Sequence, residues 1–280
     1  MSTTAPGGQP PRIVATGLQR DFADGRQVVH ALGPLDLEVG EGEFVSVLGP
    51  SGCGKSTLLR VIAGLVSPSK GELSIRQTDP DRSLLGMVFQ DHSVYPWKSV
   101  ERNVRFGLDV ERKRSRAERD VLVAGYLRRL GLSEFAKAYP HTLSGGMRQR
   151  VAIARALVLQ PEVLLMDEPF ASLDQQLRRL MQDELVDLWE TERRTMVFVT
   201  HSIDEAIILS DRVVVMSARP GRVCAEYTIP FGRPRSHDLR ASPEFAALQE
   251  SIWEVLRTEV DEHLAATRGG AGGASSGSAA

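Results

Sequence analysis

Only two cysteines occur in the 280 residues, Cys53 and Cys224. Cys53 lies inside a glycine-rich stretch and Cys224 in an expected strand, so no disulfide framework is expected. Long apolar runs are also missing, and none approaches the ~18–20 consecutive apolar residues that a membrane-spanning helix needs. The opening MSTTAPGGQPPR has neither the charged nor the apolar region of a secretory leader. If the chain serves a membrane process, another chain is expected to cross the bilayer. An excess of one charge is absent too. The 34 Lys and Arg against 36 Asp and Glu leave a formal charge of −2, which gives no global attraction to nucleic acid or anionic lipid. The one dense basic run, ERKRSR at 111–116, reads as solvated surface.

What remains is an ordinary globular composition, 42% hydrophobic and 25% charged, with enough material for a sizeable core. Residues 1–11, rich in Pro, Gly and Thr, and 268–280 (RGGAGGASSGSAA) read as disordered ends. Between them, EFVSVL at 43–48, PEVLLMDE at 161–168 and RTMVFVTH at 194–201 are near-continuous apolar runs. Such runs suit strands of a parallel sheet covered on both faces, hence an α/β fold. A helix is predicted over KSTLLRVIAGL at 55–65. Residues 91–160 hold successive helical patterns without a strong strand and read as a helical subdomain inserted in the α/β core. A closing amphipathic helix is predicted over 241–267, with Phe245, Leu248, Ile252, Val255 and Leu256 at helical spacing.

Chemistry enters with GPSGCGKST, comprising Gly49, Pro50, Ser51, Gly52, Cys53, Gly54, Lys55, Ser56 and Thr57. It fits G-x-x-x-x-G-K-[ST] between a strand and a helix. A phosphate chain needs inward-pointing N–H groups, which glycines let a loop provide, and the following helix adds a favourable dipole. Lys55 is expected to reach the β and γ phosphates, and the Ser56 hydroxyl to help hold Mg²⁺. A second signal is VLLMDE at 163–168, which delivers Asp167 and Glu168 to the C-terminal end of a buried strand, where open α/β sheets place ligands. Asp167 suits the Mg²⁺ shell and Glu168 the attacking water. A third is LSGGMRQR at 143–150. Locally it also reads as a Ser-capped glycine turn before a basic helix. Ser144 with Gly145 and Gly146 can leave helix-start N–H groups aimed at an anion.

LSGGMRQR, lying between the phosphate loop and the acidic strand, resembles the signature motif of the ABC ATPases, and the resemblance covers about residues 12–230. It implies a P-loop NTPase core of ABC type spanning 12–240, with the helical insertion and a small antiparallel β part. Gln90 in MVFQ resembles the glutamine that joins core and helical subdomain and senses Mg²⁺ and water. Ser172, Leu173 and Asp174 resemble the loop that runs across the dimer interface, and His201 the switch histidine at the γ-phosphate. Phe22 is the candidate adenine-stacking aromatic, with a packing role as the alternative. SGCGKSTLLRVIAGL, FQDHSVYPWKSVERNV and DEPFASLDQQLR are similar to the ATPases of nitrate, sulfonate and taurine importers. There Pro96-Trp97 with Asn103-Val104 is the most telling piece. Trp97 either packs within the helical subdomain or lines a groove for a helix of the membrane subunit.

The resemblance implies a head-to-tail homodimer, or a heterodimer with a related ATPase. Two ATP molecules with Mg²⁺ would each lie between the phosphate loop of one protomer and Ser144-Gly145-Gly146 of the other. Glu168, His201 and Gln90 are the implied catalytic residues, and Ser56, Gln90 and Asp167 the implied metal ligands. Implied partners are two transmembrane permease subunits and, indirectly, an extracytoplasmic solute-binding protein, with no nucleic acid. The implied location is the cytoplasmic face of the membrane. Three other readings stand beside it: a soluble ABC-type ATPase acting on ribosomes or DNA, a non-transport subunit that holds ATP without cleaving it, against which Glu168 and His201 argue, and the ATPase of an exporter.

Overall fold

The computed structural model describes residues 10–271 apart from 26, 92 and 236. The segments expected to be disordered, 1–11 and 268–280, lie outside the described residues except for 10, 11 and 268–271. In chain order the strands are β1 (Ile13–Asp24), β2 (Gln27–Val39), β3 (Phe44–Leu48), β4 (Lys70–Ile75), β5 (Leu85–Val88), β6 (Val163–Asp167), β7 (Thr195–Val199), β8 (Arg212–Met216) and β9 (Val223–Thr228). The α-helices are α1 (Lys55–Ile62), α2 (Val100–Glu111), α3 (Arg116–Arg129), α4 (Gly145–Leu157), α5 (Gln175–Glu192), α6 (Ile203–Leu209) and α7 (Pro243–Ala271). They fall into two compact units, each assembled from discontinuous segments.

The first unit comprises Met1–Ile13, Glu38–Val45 and Ile75–Thr200. Its strands run in the order β5-β6-β7 and pair in parallel, with Val163 opposite Thr195 and Asp167 opposite Val199. Every residue of β6 and β7 is buried, which is why these segments carry no polar alternation. Phe44 meets Trp189 and Phe198 edge-on at centroid distances of 6.0 and 5.9 Å. Trp189 is wholly buried, and truncating a core Trp costs about 3–5 kcal/mol. Between β5 and β6 lie α2, α3, two short 3₁₀ turns and α4, within the stretch read as a helical insertion. Ser115 and Glu118 form a reciprocal capping box that starts α3.

A buried ion cluster ties three segments of this unit together. Arg12 donates to Glu162 at 2.5 Å and to Glu41 at 2.6 Å. The Glu162 carboxylate also accepts from the N–H groups of Thr78 and Asp79, at 3.0 and 2.6 Å, and from the Thr78 hydroxyl at 3.0 Å. Burial pushes the Glu162 carboxyl up, but these donors and the Arg12 charge together outweigh it and hold the group below its ordinary value.

The second unit comprises Val14–Leu37, Ser46–Ser74 and His201–Ala280. It holds a three-stranded sheet ordered β2-β1-β4 and a run ordered β3-β8-β9, in which β8 and β9 are antiparallel. α1 leaves this run after β3 and closes with Gly64 at φ 70. Helix α6 packs against α7, where Phe231 stacks on Phe245 at 6.2 Å. Arg235 donates to the carbonyls of Ile207, Ile208 and Ser210 and so satisfies the C-terminal end of α6. Among the described residues no helix is long and apolar enough to cross a membrane.

Candidate nucleotide site

The phosphate loop, residues 49–54, joins β3 to α1. Gly54 is the N-cap of α1 at φ 111, and a Cβ there would lie 2.6 Å from the Ala31 carbonyl oxygen. Both facts demand glycine. No side chain caps α1, and its first turn holds no acid. The N–H groups of that turn therefore keep no side-chain oxygen from their own cap. The Lys55 ammonium lies over the loop, donating to the carbonyls of Gly49 and Pro50 at 2.7 and 2.9 Å. Cys53 is buried with its sulfur 3.9 Å from Lys55 Nζ. Burial pushes the thiol up, and Lys55 only partly opposes this. A protonated thiol leaves the lysine charge available for an anion. Ser56 and Thr57 follow in the first turn of α1, half-buried.

The acidic pair occupies the end of β6 in the first unit. Asp167 is buried at the last strand position. Glu168 follows at φ 45, a left-handed conformation that costs a non-glycine residue about 1–2 kcal/mol. Its N–H donates to the Val199 carbonyl at 2.9 Å, so the strained residue is still tied to β7. The Gln90 amide nitrogen lies 3.4 Å from Glu168 Oε2. The two residues, 78 apart in sequence, are thus brought within long hydrogen-bond reach. The carboxylate of Asp167, the amide of Gln90 and the hydroxyl of Ser56 are hard oxygen donors of the kind Mg²⁺ takes. Among the described residues no three His, Cys, Asp or Glu side chains form a ready-made metal centre. A Mg²⁺ carried largely by phosphate oxygens needs only one or two protein ligands.

Ser144 is the N-cap of α4, and its hydroxyl oxygen accepts from the Met147 N–H at 3.3 Å. The hydroxyl proton is not used by that bond and can be given to a ligand. Ser144 is exposed, and the first turn of α4 contains no acid. A Cβ on Gly146 would lie 2.4 Å from a terminal methyl of Leu177. That glycine therefore serves close packing against α5, whereas a Cβ on Gly145 would meet nothing nearer than 3.9 Å. In the adjoining loop Asp174 caps α5 through the Leu177 N–H at 2.9 Å.

His201 lies just past β7, exposed, before Ser202 caps α6. Phe22 on β1 is 37% exposed, with the Arg20 guanidinium 4.5 Å over its ring. Trp97 is 70% exposed and only leans on Tyr95, at 5.5 Å, so it is not a packing residue of the helical insertion. Its loop is held instead by the buried Asn103 side chain. That amide accepts from the Tyr95 N–H at 2.7 Å and donates toward the carbonyls of Lys98 and Tyr95 at 2.9 and 3.1 Å. One neighbour of the phosphate loop escaped sequence reasoning. Arg219, between β8 and β9, donates from Nε and Nη2 to the Gly52 carbonyl at 3.3 and 3.2 Å. The string Ala-Arg-Pro-Gly-Arg marks a turn, but nothing local connects it to residue 52.

Comparison with known proteins adds four findings. The ABC transporter family profile matches residues 32–171. The chain is 46% identical over 250 residues to the taurine import ATP-binding protein of Rhizobium johnstonii, covering 86% of this chain and 94% of that one. It is 42% identical over 262 residues to the nitrate import ATP-binding protein of Synechocystis, covering 89% and 98%. A solved dimeric ATP-binding cassette, in a post-hydrolysis state bound to ADP and Pi, aligns with a TM-score of 0.71 at 33% identity. That alignment covers 79% of this chain and the whole of that one.

Proposed function

The chain belongs to the ABC transporter family, and from that premise we propose that it is the ATP-hydrolysing subunit of an importer for a small anion such as nitrate, a sulfonate or taurine. It is an ATPase of the transport-coupled kind. The observation that carries the site assignment is electrostatic. Among the described helices, α1 and α4 alone start with neither an acidic cap nor an acid in the first turn. α1 follows the phosphate loop, and α4 carries the Ser-Gly-Gly start. Acids stabilise a helix start, so their omission at these two gives up a few tenths of a kcal/mol and leaves each open to an anion. The solute class is supported by likeness to a taurine and a nitrate import protein along nearly their whole lengths.

MgATP supplies the γ-phosphoryl group and the charge to be neutralised. In the proposed site Lys55 and the loop N–H groups bind the phosphates, while Ser56, Asp167 and Gln90 hold Mg²⁺. Glu168 orients the attacking water and takes its proton, and His201 contacts the γ-phosphate. Phe22 stacks on adenine. Ser144, Gly145 and Gly146 of a second copy, or of a related ATPase, complete the site by donating to the terminal phosphate. Closing and reopening of that dimer would drive two permease subunits, with this chain peripheral on the cytoplasmic face and a solute-binding protein on the far side.

Two measurements test the proposal. Glu168→Gln should keep nucleotide affinity and lower turnover by about 10²–10⁴-fold. It should also give a larger species than wild type on size-exclusion chromatography with MgATP, and a variant hydrolysing at the wild-type rate moves the base elsewhere. Co-purification with the host's membrane subunits, followed by hydrolysis assays in vesicles with solute-loaded binding protein, tests the cargo. Stimulation only by an unrelated solute overturns the solute class and leaves the ATPase assignment standing.

A further inference from the structure

The turn between β8 and β9 lies against the phosphate loop on one side and is held by α7 on the other. It is internally braced. The Ser217 N–H donates to the Arg222 carbonyl at 2.8 Å, and the Ser217 hydroxyl accepts from the Arg222 N–H at 3.0 Å and donates to the Pro220 carbonyl at 3.1 Å. It is also anchored on β2, since the Gly221 N–H donates to the Ala31 carbonyl at 3.1 Å and the Gly221 carbonyl accepts from the Gly33 N–H at 2.9 Å. A Cβ on Gly221 would lie 2.2 Å from the Cys53 carbonyl oxygen, so only glycine lets the two backbones approach this closely. One residue earlier in the loop, Gly52 receives the Arg219 guanidinium. On the far side, the Ala218 N–H donates to Glu259 Oε2 of α7 at 3.1 Å.

We propose that Arg219 is a positioning residue for the phosphate loop, and that α7 acts on nucleotide binding through Glu259 and this turn. The inference rests on the reading of residues 49–57 as the phosphate-binding loop. In a trans peptide the C=O and N–H point in opposite directions. Arg219 engages the Gly52 carbonyl, and the Cys53 N–H across the same peptide lies 3.3 Å from the Pro50 carbonyl. The Gly52–Cys53 plane is therefore held at both ends. A phosphate cradle works through the direction of its N–H groups. The Cys53 N–H is committed to the Pro50 carbonyl, so Arg219 acts by fixing the loop backbone from which the neighbouring N–H groups point, without touching the ligand. Glu259 fixes the residue immediately before Arg219. A shift of α7 would then reach the loop through two hydrogen-bonded contacts.

The test compares ATP and ADP affinity, and the KM and kcat of hydrolysis, in full-length variants. Arg219→Ala should weaken both nucleotides about tenfold, the size expected for losing hydrogen bonds from a charged donor. It should raise KM while leaving kcat within about twofold, the sign of lost binding shared by ground and transition states. Arg219→Lys, which can still reach a carbonyl, should restore at least part of the affinity. Glu259→Ala should weaken binding in the same direction by about threefold, and the double variant should be no weaker than Arg219→Ala, because both act along one path. Unchanged affinity in Arg219→Ala with an unchanged melting temperature overturns the proposal. So does a loss confined to ATP, which would make Arg219 a direct contact to the terminal phosphate, or an additive double variant. Lys55→Ala is the control. If it too leaves affinity intact, the loop reading itself has failed, whereas loss with Lys55→Ala alone leaves that reading intact and removes only the role of Arg219.

Discussion

Two helix starts in this molecule carry glycines and no acid, yet they are built differently. α1 begins on a left-handed glycine with no capping side chain, under a lysine whose ammonium is parked on the loop's own carbonyls. α4 begins on Ser144, which caps its own helix and is exposed. The first is a pocket of backbone donors with its counter-charge built in. The second is a helix end whose dipole and hydroxyl proton have no counter-charge in the first turn. In the proposed function this difference assigns the two starts separate parts, α1 holding the polyanion and α4 adding to an anion already held.

Removing the built-in charge should give the largest effect. Lys55→Ala is expected to lose more than about a hundredfold in MgATP affinity, since two or more charge-assisted hydrogen bonds to phosphate disappear together. Titration calorimetry checks this, and unchanged affinity would sink the contrast at its first member. Ser144→Arg should next lower hydrolysis by about a hundredfold while monomer affinity stays as in wild type, because bulk and a lost cap sit where a partner's phosphate must approach. Mixing it with Lys55→Ala protein should restore part of the activity, since each mixed dimer holds one composite site with both halves intact. If Ser144→Arg instead abolishes nucleotide binding by the monomer, α4 belongs to the same protomer's site.

A subtler change separates the helix from its proposed ligand. Gly145 has room for a side chain, so Gly145→Asp should stabilise the protein by up to about 1 kcal/mol through the helix dipole. The same carboxylate should lower hydrolysis about tenfold by repelling the partner's phosphate. Thermal melting and turnover must therefore move in opposite directions, and a fall in both would reduce the α4 start to a packing device. Smallest for activity is a charge turned inward. Glu162→Gln should leave kcat within about twofold and cost about 2–3 kcal/mol of stability at neutral pH, because Arg12 loses one of its two carboxylates. The Glu162 carboxyl is held below its ordinary value in the fold. Its contribution is therefore complete above the unfolded value and disappears as pH falls through the lowered one. Denaturation curves of wild type and variant should converge in acid and stay apart at neutral pH.

Much of this contrast could be read from the sequence, for physical reasons that also explain what could not. EFVSVL, PEVLLMDE and RTMVFVTH announced β3, β6 and β7 because strands buried on both faces need uninterrupted apolar residues. The helix predicted over 55–65 ends at Ile62, since Gly64 takes a left-handed turn. The half-exposed strands β4 and β9 have mixed burial and no uninterrupted apolar run, and of the two only β9, around Cys224, is expected from the sequence. Lys55, Glu168 and Ser144 were legible because their chemistry is spelled by adjacent letters. Gln90 becomes a candidate only through resemblance, and its approach to Glu168 is created by the fold. Arg219 on Gly52, and Arg12 on Glu162, were invisible because pairs 167 and 150 residues apart are created by the fold alone.

The Arg12–Glu162 pair also sets a clock for biosynthesis. The carboxylate that Arg12 will meet in the buried cluster leaves the ribosome 150 residues after it. At typical elongation rates of about 5–20 residues per second, that interval is roughly 8–30 s. Until it ends, the guanidinium must stay hydrated or borrow Glu41, whose carboxylate becomes available only 29 residues after it. Arg12, the residue immediately before β1, therefore cannot take its final buried place until synthesis has passed Glu162, just ahead of β6.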